Sequence, residues 1–231
     1  MTTTAGASDM TRRTRIKICG LTREEDVAAA VQAGADAIGF VFYPKSPRYV
    51  TAQRAAELAA TVPPFVSTVG LFVNPTVDEV RAVLAAAPLT LLQFHGDETP
   101  QQCAEIAAAV VRPFMRAARI GSATRPDDLL EYELQYRSAS PFFNGLLLDT
   151  LVEQYGGSGK AFDWSVIPKE LAPRAVLSGG LSVHNATEAV AGVRPYAVDI
   201  SSGVEASKGI KDAAKISAFI GAVRLADATQ A

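Results

Sequence analysis

The chain has 231 residues, with 22 Lys and Arg against 24 Asp and Glu, and 48% of the residues are hydrophobic. This composition is typical of a folded globular protein. The near balance of charge argues against a nucleic-acid partner, because the phosphate backbone requires a concentrated basic face. No apolar run approaches the roughly 20 residues that a membrane span needs, so the sequence also excludes a membrane protein.

Two cysteines, Cys19 and Cys103, are too few for a disulfide framework. Free thiols are typical of a reducing compartment, and we therefore expect a cytoplasmic protein. Residues 1–14 are rich in Thr, Ala, Gly and Ser and lack the apolar stretch of a secretory signal. We predict that this segment is a disordered tail and that residues 15–231 form one catalytic domain.

Eight short apolar or β-branched runs alternate with longer Ala-rich stretches along the chain. Short runs of this kind, bounded by turn residues, suit strands that are buried on both faces, as in parallel sheets. The predicted strands are residues 15–19, 37–42, 66–73, 90–94, 111–115, 146–149, 175–178 and 197–200.

Helix-start signals lie between these runs. Thr22 and Thr76 are each followed three residues later by Glu, which is the spacing of a capping box. Thr99 precedes a proline at the first helical position, and Ser182 and Asn185 mark a further start. The segments of high helix propensity are residues 27–33, 52–60, 80–87, 103–110 and 186–191.

The regular alternation of strands and helices predicts an α/β fold, a single-domain (β/α)8 TIM barrel. The rival architecture is an open doubly wound sheet. That fold usually carries Gly-x-Gly-x-x-Gly after its first strand, whereas residues 19–22 read Cys-Gly-Leu-Thr. The pattern therefore favours the barrel.

Functional residues of a TIM barrel lie at the carboxyl ends of its strands, and phosphate sites recur after the seventh and eighth. Glycine and serine follow both of these runs. Glycine lets backbone N–H groups approach an anion closely, so two such turns at these positions favour a phosphate site over two ordinary turns. The two turns are Ser178-Gly179-Gly180 and Ser201-Ser202-Gly203.

A third glycine-rich segment, residues 156–160, follows the sixth run. It lacks the Gly-x-x-x-x-Gly-Lys-Ser/Thr spacing of a P-loop. Its composition fits a lid over the site as well as it fits a plain flexible connection. Gly157, Ser158 and Gly159 remain candidate phosphate-binding residues.

Two strand ends carry reactive side chains. Cys19 ends the first run; it is either a small buried hydrophobe or a reactive thiol, whose pKa the following turn and helix N-terminus would lower. Asp149 ends the sixth run, where a carboxylate is costly unless it is paired, solvated or functional. Asp199 lies inside the eighth run and is the alternative functional acid, or a buried structural one. Cys103 falls in an Ala-rich helix and is expected to serve packing.

The remaining candidates are two histidines and an arginine. His95 follows the fourth run and is expected to line a pocket, whereas His184 falls at a helix start and is expected at the surface or as a helix cap. With no cysteine or glutamate at ligand spacing, we reject a metal site. Arg48 follows the second run and is either a carboxylate or phosphate clamp or a solvated surface charge.

The ordered set of these motifs resembles the phosphoribosylanthranilate isomerase family of tryptophan biosynthesis over about residues 15–220. Leu21 and Phe94 are mild departures, where the family usually has Ile and Leu. The motifs are Lys-Ile-Cys-Gly-Leu-Thr at 17–22, Gly-Phe-Val-Phe-Tyr-Pro-Lys-Ser-Pro-Arg at 39–48, Leu-Gln-Phe-His-Gly at 92–96, Leu-Leu-Asp-Thr at 147–150, Gly-Gly-Ser-Gly-Lys at 156–160, Leu-Ser-Gly-Gly-Leu at 177–181 and Val-Asp-Ile-Ser-Ser-Gly-Val-Glu at 198–205.

The resemblance implies an Amadori rearrangement that needs no cofactor, the third step of the tryptophan branch from chorismate. The aminoaldose N-(5′-phosphoribosyl)anthranilate becomes 1-(2-carboxyphenylamino)-1-deoxyribulose 5-phosphate. By the same resemblance, Cys19 is the general base, Asp149 is the general acid and Arg48 holds the anthranilate carboxylate. The two glycine turns hold the phosphate, and Gln93, His95 and Asp199 are pocket neighbours.

Two other classes of protein stay open on the residues alone. One is a different phosphosugar enzyme on the same barrel, such as an epimerase or a synthase, which would need metal ligands, paired carboxylates or catalytic lysines. The other is a barrel that only binds a phosphorylated ligand, which would have no need of both Cys19 and Asp149. The expected partner is a small phosphorylated substrate, and the chain is expected to be a monomer or a homodimer.

Overall fold

A computed structural model describes residues 13–151 and 161–229. The candidate phosphate-binding residues Gly157, Ser158 and Gly159 lie outside the described residues. Two residues of the predicted tail contact the folded chain: Arg13 forms an ion pair with Asp36, and the backbone N–H and hydroxyl of Thr14 donate to Asp227 at 2.8 and 2.7 Å. Thr14 is buried, so the packed structure begins before the predicted boundary.

Eight parallel strands close into a barrel in chain order, with the first strand paired to both the second and the eighth. The TIM-barrel prediction is confirmed. The strands are β1 Arg15–Cys19, β2 Ala37–Val41, β3 Ser67–Phe72, β4 Leu91–Phe94, β5 Phe114–Ile120, β6 Phe143–Thr150, β7 Val176–Leu177 and β8 Ala197–Ile200.

Seven α-helices surround the barrel in the described part of the chain. They are α1 Glu24–Ala33, α2 Ala52–Ala59, α3 Val77–Ala86, α4 Pro100–Val110, α5 Pro126–Ala139, α6 Ala186–Val193 and α7 Ala213–Ala228. Between β6 and β7 the described residues form only two 3-10 turns, Trp164–Val166 and Ala172–Arg174. After β8 the chain makes a small antiparallel hairpin, β9 Glu205–Ser207 and β10 Ile210–Lys211.

Some local predictions are wrong. The fifth strand begins at Phe114, not at 111, because α4 runs through Val110 and Val111 ends it in the left-handed conformation, with φ of 50°. Thr22 does not cap α1; its hydroxyl donates to the carbonyl of Gly209 at 2.8 Å. The capping boxes at Thr76 and Thr99 are confirmed.

The barrel has an outer and an inner core. Large apolar side chains pack between the strands and the helices, Ile16 and Ile18 of β1 among them. Inside, a smaller cluster of Val69, Met115 and Leu147 with its neighbours fills the barrel. Because side chains alternate along a strand, the candidate residues at 19, 93, 149 and 199 share the inward face. The fold therefore directs them into one space.

Candidate active site

One cavity opens at the carboxyl ends of the strands, where the fold predicts the functional site. It brings together the predicted residues from β1, β4, β6 and β8 and the two glycine turns. The predicted site residues that line it are Cys19, Arg48, Gln93, His95, Asp149, Gly179, Gly180, Asp199, Ser201, Ser202 and Gly203.

Cys19 is buried at the end of β1, beside the cavity. The hydroxyl of Ser201 donates to its carbonyl at 3.0 Å and so anchors this strand end to β8. Burial raises the pKa of the Cys19 thiol, with the ammonium group of Lys17 acting against the rise. This direction is opposite to the lowering expected for a reactive thiol, because burial outweighs the neighbouring cations.

A buried ion pair lies on the inner face of the barrel next to Cys19. Nζ of Lys17 donates to Oδ1 of Asp199 at 2.7 Å, and the hydroxyl of Ser178 donates to Oδ2 at 3.4 Å. Asp199 is thus held by a cation from the neighbouring strand. The sequence analysis missed Lys17 because it treated residues 15–19 as one apolar run, although the alternation of Ile with Lys and Cys separates the two faces.

Asp149 is joined to the fourth strand through a histidine. Its Oδ2 lies 3.0 Å from Nε2 of His95, and Nδ1 of the same ring lies 2.9 Å from the amide nitrogen of Gln93. Gln93 is fully buried, and its Oε1 atom has no hydrogen-bond partner among the described residues. His95 is only part-buried and lines the cavity as predicted, whereas His184 is exposed.

A buried glutamate supports the loop that carries His95. Glu98 accepts from the backbone N–H groups of Asn74 and Gly96 at 2.7 and 2.9 Å and from Nη1 of Arg116 at 2.8 Å. Arg116 also donates to the carbonyls of Phe94 and Gly96. This network fixes the backbone on both sides of His95.

The two glycine turns pack against each other and against β6. A side chain at Gly203 would overlap the carbonyl of Leu181, and one at Gly179 would overlap the backbone of Thr150 and come within 2.9 Å of Oδ1 of Asp149. Gly179 also has φ of 76°, which favours glycine. Each turn can therefore lie this close to its neighbours only because glycine has no side chain.

The backbone N–H groups of these turns are suited to an anion. The N–H groups of Gly180, Ser202 and Gly203 form no hydrogen bond to another described residue. Ser202 opens a 3-10 turn, Ser202–Val204, and Gly180 lies in the left-handed conformation. Converging N–H donors of this kind make concavities that bind anions.

Arg48 reaches the cavity already paired. Its Nε and Nη2 atoms donate to Glu205 at 2.6 and 2.9 Å, and Nζ of Lys211 donates to the same carboxylate at 3.0 Å. Glu205 is the first residue of β9, so the hairpin after β8 supports this arginine. Although the carboxyl group is buried, the two cations hold the pKa of Glu205 below its usual value.

The cavity brings together a carboxyl group, a thiol and two glycine turns, and comparisons with known proteins give the family of the chain. A family model described as N-(5′-phosphoribosyl)anthranilate (PRA) isomerase matches residues 16–222. The N-(5′-phosphoribosyl)anthranilate isomerase of Herminiimonas arsenicoxydans is 67% identical, covering 95% of this chain and 96% of its own. The chain belongs to the phosphoribosylanthranilate isomerase family. It isomerises N-(5′-phosphoribosyl)anthranilate in tryptophan biosynthesis.

Solved structures of the family have the same fold. Phosphoribosyl anthranilate isomerase from Thermotoga maritima gives a TM-score of 0.80 at 42% identity and covers 91% of this chain and 98% of that one. A second crystal structure of the family, at TM-score 0.77 and 40% identity with the same coverage, is a complex with reduced 1-(o-carboxyphenylamino)-1-deoxyribulose 5-phosphate. The alternatives of another phosphosugar enzyme or a barrel that only binds are thereby excluded.

Two further findings concern the described residues. No helix among them is long and apolar enough to cross a bilayer.

Cys103 is fully buried in α4, where burial raises its pKa to about 12, in keeping with the expected packing role.

Proposed function

We propose that Asp149 is the general acid and Cys19 the general base of the aminoaldose isomerisation. The observation that supports this assignment is that both side chains line one cavity, the carboxylate from the end of β6 and the thiol from the end of β1. An acid and a base on different strands can act on two atoms of one sugar held between them.

The acid acts first, in opening the ribose ring. Asp149 gives a proton to the ring oxygen while the bond from C1′ to that oxygen breaks, and the nitrogen lone pair forms a protonated Schiff base at C1′. His95, 3.0 Å from the Asp149 carboxylate, fixes the direction in which the proton is delivered. The ring oxygen leaves this step as a hydroxyl group.

The base acts on the opened sugar. The Schiff base acidifies the proton on C2′, and Cys19 as a thiolate removes it. The electron pair of that bond forms an enolamine, which becomes the ketone when C1′ gains a proton and the C2′ hydroxyl loses one. The hydrogen count of the substrate is unchanged, so the oxidation at C2′ is balanced by the reduction at C1′.

The two ends of the substrate are held by different groups. We assign the phosphate to the N–H groups of Gly180, Ser202 and Gly203, with Gly179 and Ser201 shaping the turns. Arg48 takes the anthranilate carboxylate through the part of its guanidinium that Glu205 does not occupy. Gln93, His95 and Asp199 are the other predicted residues that line the cavity. Anchoring both ends keeps the ribose between acid and base.

Turnover of freshly prepared phosphoribosylanthranilate, followed by anthranilate fluorescence, tests the assignment. Cys19→Ser and Asp149→Asn should each lower kcat by at least about 100-fold, the scale of losing a general acid or base. Cys103→Ser is the matched control, because that thiol lies in the outer core, away from the cavity. An unimpaired Cys19→Ser enzyme would reject the proposed base without affecting the family assignment.

We further propose that the described barrel acts as one catalytic domain in the cytoplasm and associates as a homodimer. The relative from Thermotoga maritima is a dimeric protein from which monomers have been generated. In this chain Phe65 is fully exposed in the loop before β3, and a subunit contact would remove it from water.

Light scattering should give the mass of a dimer for the wild-type protein and the mass of a monomer for Phe65→Ser. Leu225→Ser, at another exposed position, should keep the mass of the dimer. A monomeric starting protein would reject the dimer.

A further inference from the structure

A buried lysine lies inside the barrel next to Cys19, and the chemistry above gives it no role. Lys17 is two residues before Cys19 on β1, so both side chains point to the barrel interior. Ile16 and Ile18 point the other way and pack in the outer core. Lys17 and Cys19 therefore occupy neighbouring layers of the interior.

Asp199 holds the ammonium group of Lys17 in place. The two residues are register partners on β1 and β8, and their side chains are only 5% and 6% exposed. The carboxylate receives Nζ on one oxygen, at 2.7 Å, and the hydroxyl of Ser178 on the other. The ammonium group is thus fixed in the interior.

Gly39 brings the thiol and the lysine against one patch of backbone. It is the register partner of Cys19 on β2. A methyl group at Gly39 would lie 2.9 Å from Sγ of Cys19 and 3.2 Å from Cε of Lys17, both closer than ordinary contacts. Because Gly39 has no side chain, the sulfur of Cys19 and the end of the Lys17 side chain both lie close to its backbone.

Two other charged groups next to the thiol are themselves paired. Asp199 is paired with Lys17, and Lys211 donates to the carbonyl of Ser201 and to Glu205 at 3.0 Å each. Burial raises the pKa of the thiol and the Asp199 carboxylate adds to the rise, whereas Lys17 and, more weakly, Lys211 oppose it. The charged or titratable groups that face Cys19 are Lys17, Asp199 and Lys211 next to it and Arg48, His95, Asp149 and Glu205 around the cavity.

We propose that Lys17 is a positioning residue whose ammonium group stabilises the Cys19 thiolate and so maintains the base in its reactive form. This inference rests on the proposed role of Cys19. A buried thiolate without a nearby cation takes up a proton, because its charge has lost the solvation of water. Lys17 does not exchange a proton with the substrate; it stays an ammonium ion beside the sulfur.

The test measures the thiol directly as well as turnover. In a Cys103→Ala background Cys19 is the only thiol of the chain, and its alkylation by iodoacetamide is followed against pH. The variant is Lys17→Met combined with Asp199→Asn, which removes both charges of the pair, so that neither is left buried and unpaired. Because the Asp199 carboxylate itself raises the pKa of the thiol, Asp199→Asn alone is the reference from which the effect of Lys17 is read. Circular dichroism confirms that the double variant is folded, and Lys169→Met, at an exposed position, is the control for loss of a lysine.

We expect alkylation of the double variant at pH 7 to be at least tenfold slower than that of Asp199→Asn, with its pH midpoint at least one unit higher. The ascending limb of kcat/KM against pH should move by the same amount, so that raising the pH restores activity. A folded double variant whose midpoints match those of Asp199→Asn would overturn the inference, as would a loss of activity that does not depend on pH. Failure of the base assignment itself would show separately, as full activity of Cys19→Ser.

Discussion

Nε2 of His95 lies 3.0 Å from Oδ2 of Asp149. This distance joins the proposed acid on β6 to a residue that follows β4, and the buried amide of Gln93 holds the far nitrogen of the ring. An ionised Asp149 accepts from Nε2, which leaves Nδ1 to accept from the amide. The chain of three side chains therefore fixes the orientation of the ring and of the carboxyl group that it contacts.

Replacing His95 should impair the chemical step more than substrate binding. In His95→Asn the short side chain no longer reaches Asp149, so the carboxyl group loses its orientation. We expect kcat to fall by about 10- to 100-fold, less than for loss of the acid itself, with a smaller change in KM. Steady-state kinetics with anthranilate fluorescence measures both, and His184→Asn, at an exposed position, should behave as wild type. An equal loss in both variants would reject this orienting role of His95.

Glu205 should govern substrate affinity through Arg48. Glu205→Gln removes the carboxylate that receives Nε and Nη2 of Arg48 and leaves Lys211 without its anionic partner. The guanidinium then adopts several orientations, and we expect KM to rise by about tenfold, corresponding to ~1.4 kcal/mol, with kcat less affected. A fall in kcat at unchanged KM would contradict this assignment of Arg48.

Two glycine-to-alanine variants, one in a glycine turn and one in a helix, separate an effect on the phosphate site from an effect on the fold. Gly203→Ala places a methyl group on the carbonyl of Leu181, so the turn must move and its N–H groups diverge. We expect inorganic phosphate to inhibit this variant at least about tenfold more weakly, the equivalent of ~1.4 kcal/mol. Gly221 lies in α7 with nothing within 4 Å of an added Cβ, so Gly221→Ala should stabilise the fold by about 0.5–1 kcal/mol. Unchanged phosphate inhibition in Gly203→Ala would separate this turn from the phosphate.

Acid should destabilise the fold through Glu133. Its carboxylate accepts from Arg174 and Arg137 at 2.6 and 2.7 Å, and these hydrogen bonds lower its pKa in spite of burial. Because the pKa of Glu133 is lower in the folded protein than in the unfolded chain, its carboxylate stabilises the fold fully above the usual pKa of glutamate. This stabilisation is lost as the pH falls through the pKa of the folded state. Glu133→Gln should lower the free energy of unfolding at pH 7 by about 1–2 kcal/mol.

Urea unfolding at pH 7 and at pH 3 measures the contribution of Glu133. The loss of stability between the two pH values should be smaller in Glu133→Gln than in wild type, because that variant has no such carboxylate to protonate. The exposed pair of Arg81 and Asp78 provides the control. Asp78→Asn should not appreciably change the free energy of unfolding at pH 7 or its loss between pH 7 and pH 3. Equal acid losses in wild type and Glu133→Gln would show that other carboxyl groups carry the effect.

The fold could be predicted from the sequence because a barrel repeats one pattern. Each buried strand is a short apolar run, and β1, β2, β4 and β8 lie within a residue of their predicted bounds. The fifth strand was misplaced because Val110 and Val111 have the β-branched side chains of a strand, yet Val110 is the last residue of α4 and the N–H of Val111 bonds to the carbonyls of Ala107 and Ala108. Side-chain preference alone therefore did not locate the end of this helix.

The residues of the candidate site could be predicted from the sequence, but the hydrogen bonds and ion pairs between them could not. A reactive residue at a strand end is visible in the sequence, as Cys19 and Asp149 are. The partners of Asp149 and Arg48, by contrast, come from residues 54 and 157 positions away in the chain. The alternation of Ile with Lys and Cys along β1 could have placed Lys17 on the inner face, but its partner Asp199 is known only from the strand register.

The hydrogen bonds from Thr14 to Asp227 have a consequence for the order of the chain. They join the residue before the first strand to the last helix, so the two ends of the described barrel are neighbours in space. A short linker between them would allow new ends to be opened at an exposed loop such as the one that carries Phe65. A circularly permuted chain of this kind keeps every strand neighbour, so the barrel has no inherent first strand.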